Sequence, residues 1–113
     1  MDNYELAFGL ILNAGNSKAK SMEAIESAKE FDFDSASKLL KEAEEELRSA
    51  HKLQTGMISQ EASGEKVDVN IIMVHAQDHL TTAMIIMNQA EEFISLYKII
   101  NELNNKINKI CVN

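Results

Sequence analysis

The residues whose types and spacing could do chemistry lie in one short segment. His75, Asp78 and His79 stand at positions i, i+3 and i+4, and in an α-helix these positions share one face. A neutral imidazole can act as a nucleophile or metal ligand, and a carboxylate can orient an imidazole or bind a divalent cation. One face of one helix therefore carries nearly all the chemistry that the chain can offer.

The composition predicts one soluble domain and excludes several partners. The chain has 113 residues, 45% of them hydrophobic and 26% charged, with a net charge of −7. Without a basic cluster interleaved with aromatic residues, binding to nucleic acid or anionic lipid is not expected. No apolar run approaches the roughly 18 residues of a membrane span, and the start lacks a basic signal segment, so we expect a cytoplasmic protein. The single Cys111 has no activating neighbour and is expected to be a bystander.

Helix breakers are scarce, which predicts an all-α fold. The chain contains no proline and only four glycines, and its apolar periodicity indicates three helices. The first covers about 4–30, the second runs from the N-cap Asp34 to about 61, and the third runs from the N-cap Asp68 to about 100. A turn at Gly64, which can adopt a positive φ, separates the last two. We treat 1–113 as one domain with a core at about 4–100 and a helical tail at 101–113.

The apolar positions predict an antiparallel three-helix bundle that is incomplete by itself. The second helix has a regular four-three seam, typical of close helix packing. The third helix is apolar around most of its circumference, more than two partner helices of a small chain can cover. Other copies of the chain must therefore cover the rest. The predicted core positions are Ala7, Ile11, Ala14, Met22, Ile25 and Ala28 in the first helix; Ala36, Leu40, Ala43, Leu47, Ala50, Gln54 and Met57 in the second; and Ile72, Met73, Ala76, Leu80, Ala83, Met84, Ile86, Met87, Ala90, Phe93, Ile94, Tyr97 and Ile100 in the third.

A further stripe of the third helix mixes polar and apolar residues at the same four-three spacing. Its members are Ile71, His75, Asp78, Thr82, Ile85 and Gln89. Such a stripe suits a symmetric interface, where polar residues can fix register and copy number. Carboxylates brought together by symmetry would bind a proton or recruit a divalent cation. Asp78 is thus a candidate metal ligand between subunits, and the alternative is that it orients His75 or His79 by a hydrogen bond.

Several separate motifs match one protein family. They are Ala14-Gly15, Met22-Glu23-Ala24, Asp32-Phe33, Ala50-His51 with Gln54-Thr55, Glu61-Ala62-Ser63-Gly64-Glu65 and His75-Ala76-Gln77-Asp78-His79-Leu80. From about Leu6 to Ile100 the chain resembles the lactose/cellobiose/chitobiose class of enzyme IIA, a phosphoryl carrier of the bacterial phosphoenolpyruvate-dependent sugar phosphotransferase system. The resemblance implies a homotrimer of three-helix subunits, a bundle of nine helices.

The resemblance also implies a function and site residues. His75 would accept a phosphoryl group from phospho-HPr, forming a phosphohistidine with Nε2 as the candidate atom, and would pass it to a cysteine of the cognate enzyme IIB. Asp78 would meet its symmetry mates around a divalent metal, with Mg²⁺ favoured, on the trimer axis. The membrane permease would be only an indirect partner. Ala76, where the lactose branch often has glycine, favours a cellobiose- or chitobiose-type system, with lactose as the alternative.

Four further residues are candidates for supporting roles. His79 could hydrogen-bond His75 or the phosphate, or pack as a core histidine. Gln77 lies inside the segment 75–80, which we call the motif from here on. His51 and Gln54 of the second helix could brace the helix that carries the site, although purely structural hydrogen bonding explains them equally well.

Two other functions compete with the carrier. His75 and His79, with an acid between them, are similar to the zinc-binding helix of metalloproteases. A hydrolase would also need a third protein ligand and a general base, and His51 is the only other imidazole. A structural bundle would leave the shared polar face unexplained. Three features depart from the family: Phe31 stands where a glycine usually ends the first helix, Thr81 replaces the methionine that commonly follows Leu80, and the tail has no counterpart.

Overall fold

The computed structural model describes residues 2–112, with side chains through Cys111, and folds into three helices. α1 spans Asn3–Lys29, α2 spans Phe33–Ala62 and α3 spans Ile71–Val112. Short connections make successive helices antiparallel, and α1 packs along both others. The predicted all-α fold of three helices is confirmed, with no strand in the described range. No helix in that range has a stretch both long and apolar enough to cross a membrane.

Both predicted N-caps are wrong by two residues. α2 is capped by Asp32, whose Oδ1 accepts from the backbone N–H of Ser35 at 3.2 Å, so Asp34 lies inside the first turn. α3 starts after Asn70, whose Oδ1 accepts from the N–H of Met73 at 2.9 Å. Asp68 is held outside the helix, with its carbonyl accepting from the side chain of Asn3 at 3.1 Å. At α3 a tertiary hydrogen bond thus holds Asp68 outside the helix, whereas at α2 the cap is formed by local hydrogen bonds of Asp32.

Positive φ closes two turns. Gly64 adopts a φ of 97°, as predicted, and Phe31 adopts a φ of 61°. The N–H of Phe31 donates to the carbonyl of Ala28 at 2.9 Å, which ends α1. The missing glycine is therefore replaced by a residue in the left-handed region, which is costly for any side chain with a Cβ.

We expect the Phe31→Gly variant to be more stable than the native chain by about 1 kcal/mol, because glycine adopts the left-handed region without steric cost. Loss of the contact with the Phe33 ring, 6.2 Å away between centroids, offsets part of the gain. Chemical denaturation at fixed chain concentration measures the effect. Glu30→Gly is the control, since Glu30 has a φ of −92° and glycine there should lower stability. An equal loss in both variants would contradict the strain at Phe31.

The core follows the predicted seams with corrections at α1 and α3. In α1, Met22 is 51% exposed, and the buried line instead runs through Ser17 and Ser21. The Ser17 hydroxyl donates to the carbonyl of Ala43 at 2.9 Å, so small residues let α1 approach α2 closely. Phe93 and Ile100 of α3 are exposed in the single chain, and the sequence predicts that other copies cover part of this helix. The seam of α2 is buried or half-buried throughout, as predicted.

α3 is much longer than its partners. Its 42 residues correspond to roughly 63 Å at 1.5 Å per residue, and the molecule measures 71 × 20 × 20 Å. The α1–α2 turn reaches only the level of Lys98, whose ammonium lies 5.9 Å from the centre of the Phe33 ring. Every described side chain from Glu102 to Cys111 is exposed. The predicted helical tail is therefore a continuation of α3 beyond its own bundle.

Candidate functional site

The two histidines of the motif form one continuous chain with a lysine of α1. His79 Nε2 lies 3.1 Å from His75 Nε2, and the rings meet edge to face with centroids 4.4 Å apart. On the other side of the His79 ring, Nδ1 lies 2.9 Å from the ammonium of Lys18. His75 is exposed, whereas His79 and Lys18 are half-buried. This hydrogen-bonded relay, Lys18–His79–His75, thus runs from the groove between α1 and α3 to the surface.

Lys18 determines which nitrogens of His79 and His75 carry a proton. An ammonium group can only donate, so Nδ1 of His79 accepts and carries no proton. In neutral His79 the proton is then on Nε2, which donates to Nε2 of His75. His75 Nε2 is therefore the unprotonated nitrogen, and its lone pair accepts this hydrogen bond in the resting protein. An exposed imidazole with a defined lone pair is a competent nucleophile.

The surroundings of His79 keep its ring neutral. Burial lowers the pKa of His79 below its usual value, and the positive charge of Lys18 lowers it further, followed by His75. Asp78 acts in the opposite direction. A neutral His79 preserves the hydrogen-bond pattern described above, since protonation at Nδ1 would break the contact with Lys18.

Asp78 shares the motif but not the hydrogen-bonded chain. It is exposed, and within residues 2–112 its carboxylate enters no ion pair and no side-chain hydrogen bond. The alternative that Asp78 orients His75 or His79 is not borne out, because Lys18 and the two rings orient one another directly. Among the described residues of one chain, no group of three or more His, Cys, Asp or Glu side chains could hold a metal ion. A zinc hydrolase therefore lacks its third ligand here.

The glutamines connect the motif to α2. The Gln54 amide donates to Oε1 of Gln77 at 2.7 Å, so a residue of the α2 seam holds the helix that carries His75. His51 is not part of this contact. Its Nε2 lies 3.1 Å from the sulfur of Met84, more than one helical turn beyond His79. Of the two residues expected to brace the site, Gln54 contacts the motif, whereas His51 contacts Met84 farther along α3.

Apolar side chains surround the exposed imidazole. An open groove beside His75 and Asp78 is lined by Val69, Asn70, Ile71 and Val74. Ile71 is 90% exposed and Val69 76%. Exposed apolar residues next to a reactive group are typical of a surface that docks another macromolecule.

Sequence reasoning missed Lys18. A lone lysine on an amphipathic helix reads as an ordinary surface charge, and its distance of 61 residues from His79 hides the contact. No sequence signal distinguishes Lys18 from the other lysines of α1, because the buried line through Ser17 next to it was itself not predicted. Only the packing of α1 against α3 turns that position into a neighbour of the motif.

Comparison with known proteins places the chain in a family. The family model of the lactose/cellobiose-specific IIA subunit of the phosphotransferase system matches residues 5–98. The chain belongs to this family. The lichenan-specific phosphotransferase enzyme IIA component of Bacillus subtilis (strain 168) is 47% identical over 98 residues, which cover 87% of this chain and 89% of the relative. IIA components are phosphotransferase components, so the resemblance seen in the motifs is confirmed.

Solved structures of IIA proteins have the same fold. The crystal structure of the cellobiose-specific enzyme IIA from Bacillus anthracis superposes with a TM-score of 0.86 at 39% identity, covering 90% of this chain and 94% of the other. The IIA(chitobiose) solution structure in complex with HPr, from the N,N'-diacetylchitobiose system, gives a TM-score of 0.79 at 31% identity, with coverages of 89% and 98%. The family match ends at residue 98, so most of the exposed end of α3 lies outside it.

Proposed function

We propose that this IIA protein is a phosphoryl carrier that takes a phosphoryl group from phospho-HPr on Nε2 of His75 and passes it to a cysteine of enzyme IIB. The observation that carries the proposal is the chain from Lys18 through His79 to His75, which leaves the lone pair on an exposed nitrogen. The complex of a IIA relative with HPr supports the donor. A carrier acting between these proteins would work in the cytoplasm.

The chemistry is an in-line displacement at phosphorus. The lone pair of His75 Nε2 forms the new P–N bond while the bond between phosphorus and HPr breaks. The Nε2–H of His79 then loses its acceptor and can donate to a phosphoryl oxygen instead. His75 is the fifth residue of α3, so the positive end of the helix dipole also favours the added negative charge. In the onward step a cysteine thiolate of enzyme IIB attacks the phosphorus, so that a P–S bond forms while the P–N bond to His75 breaks and the lone pair returns to Nε2.

Incubation with phosphoenolpyruvate, enzyme I and HPr tests the proposal. We expect intact-mass analysis to show one acid-labile phosphoryl group per chain, and the repurified phosphorylated chain, freed of phosphoenolpyruvate, enzyme I and HPr, should lose this group to an excess of the cognate enzyme IIB. Omission of HPr is the control and should leave the mass unchanged. An unmodified mass for the folded chain in the complete mixture would overturn the carrier function.

We propose further that three copies assemble with their Asp78 carboxylates around one divalent metal, with Mg²⁺ favoured. The residues fit this role: the carboxylate is a hard oxygen ligand, it is exposed, and no other group in the described chain engages it. One chain supplies a single carboxylate, so the ligand set needs the other copies. When bound, the metal would neutralise the carboxylates that symmetry brings together.

We expect a chelator to weaken the assembly of the native chain and to leave the Asp78→Asn variant unchanged. Three unneutralised carboxylates repel one another, whereas three amides do not. Sedimentation equilibrium with Mg²⁺ or with EDTA measures the dissociation constant of each protein. Asp34→Asn is the control, since it removes the same charge from the first turn of α2. A native assembly equally tight in Mg²⁺ and EDTA would exclude the shared metal.

The sugar is proposed from the motif alone. Ala76 favours the cellobiose or chitobiose branch, while curated relatives include lactose-, cellobiose- and N,N'-diacetylchitobiose-specific components. These relatives are 39%, 39% and 35% identical to the chain. The three identities are so close to one another that they do not distinguish between the sugars. We therefore propose uptake of a disaccharide of the cellobiose or chitobiose type, with lactose as the alternative.

A further inference from the structure

The end of α3 beyond the family match carries an apolar face that nothing in its own chain covers. We call residues 99–112 the α3 extension. Leu103, Ile107 and Ile110 are 52%, 55% and 76% exposed. Side chains of this size left in water forgo the free energy of burial, about 25 cal/mol per Å² of apolar surface. Its apolar face therefore calls for a partner.

The spacing of that face is the spacing of a coiled coil. Apolar residues alternate three and four apart at Phe93, Leu96, Ile100, Leu103, Ile107 and Ile110. This is the heptad pattern by which like helices wind around each other. Ile99, also exposed, widens the face beyond a minimal two-position seam. The pattern spans more than two heptads.

The face points away from the subunit that carries it. Ile94 is 7% exposed and belongs to a cluster with Tyr97 that packs against α1 and α2. At 100° per residue, the positions that continue this inward side are the asparagines. They are Asn101, Asn104, Asn105 and Asn108. The extension is thus polar toward its own bundle and apolar on the opposite side, so α1 and α2 are not its intended partners.

The apolar face is continuous with the stripe that carries the site. Steps of seven residues lead from Ile110 through Leu103 and Leu96 to Gln89, Thr82 and His75. Asp78 lies on the same stripe, where we propose that copies of the chain meet. Three copies that meet at Asp78 are related by a three-fold axis, and helices related by such an axis along their length run in the same direction.

We propose that the α3 extension pairs with the same segment of other copies in a parallel coiled coil, which clamps the assembly beyond the core shared by the family. The inference rests on the self-assembly proposed above and adds an interface outside residues 5–98. On this view the α3 extension stabilises the assembly, while the motif alone carries out phosphoryl transfer.

Two double variants with the same added charge test the interface. We expect Leu103→Glu with Ile107→Glu to raise the dissociation constant of the assembly by about 100-fold, since two apolar side chains per copy lose their burial. Asn105→Glu with Asn108→Glu, on the opposite face, should change it by less than about 3-fold. Both pairs lie outside the packed core, and phosphorylation by phospho-HPr reports that each variant is folded. Sedimentation equilibrium measures the constants.

Disulfide trapping tests the direction of the helices. In a Cys111→Ser background, Leu103→Cys should form covalent pairs under mild oxidation, because a parallel seam places this residue next to its own copy. Asn105→Cys is the control and should not. A native assembly whose dissociation constant the Leu103/Ile107 variant leaves unchanged, or that forms no pair through Leu103→Cys, would overturn the inference but leave the trimer standing. A native chain that is monomeric at all concentrations would overturn both, while phosphorylation would still test the carrier separately.

Discussion

The His75→Ala variant should take up no phosphoryl group from phospho-HPr. The variant lacks the nitrogen that forms the new bond, and removing a covalent nucleophile lowers a rate by at least about 10⁴-fold. The change should leave the fold intact, because His75 is exposed and, among the described residues, its side chain hydrogen-bonds to His79 alone. Intact-mass analysis after incubation with phosphoenolpyruvate, enzyme I and HPr measures the outcome.

His79→Ala is the matched comparison, one helical turn away on the same face. It should still be phosphorylated, roughly 10- to 100-fold more slowly, because it loses the donor that orients His75 and would bind the phosphoryl oxygen. Phosphorylation of His75→Ala at native levels would show that His51 or His79 is the acceptor, and the assignment of His75 would then fail.

The Lys18→Met variant should transfer the phosphoryl group roughly 10-fold more slowly at neutral pH. Without the ammonium, Nδ1 of His79 can hold the proton, and the tautomer that donates to His75 is no longer enforced. Lys18 does not touch the reacting atoms, so it is a positioning residue. Single-turnover kinetics with phospho-HPr give the rate, and Lys20→Met is the control, since Lys20 pairs with Glu42 at 3.1 Å.

The same variant should change the titration of His79. Burial and Lys18 both lower the pKa of His79 below its usual value of 6.5, so removing Lys18 should raise it. Because the folded native state resists protonation, its free energy of unfolding should fall as the pH drops below about 6.5 toward the lowered pKa. That fall should be smaller in Lys18→Met. Nuclear magnetic resonance titration of the His79 ring checks the shift, and an unchanged titration would argue against the contact with Lys18.

Periodicity was sufficient for the gross fold but not for the helix ends. The four-three seam of α2 predicted which side is buried, because a buried face must recur with the helical period. The caps were wrong because Asp32 and Asp34, or Asp68 and Asn70, are chemically near-equivalent choices. At α3 a hydrogen bond from the distant Asn3 holds the carbonyl of Asp68 outside the helix, and at α2 the turn that ends α1 makes Asp32 the cap, with its N–H donating to the carbonyl of Ser27. Met22 was misplaced because α1 turns its line of small residues, not its large ones, toward α2.

The amino-acid sequence by itself determined the family, the three helices and the residue that we propose as the phosphoryl acceptor. Each depends on the spacing of nearby residues or on short motifs, and both can be identified in the linear sequence. Only the tertiary structure brought Lys18 to His79 and separated Asp78 from the two histidines. It also showed that α3 outruns its own bundle with an apolar face outward. The contact of Lys18 with His79 and the level at which the bundle ends beside α3 depend on packing between residues tens of positions apart, which local periodicity does not specify.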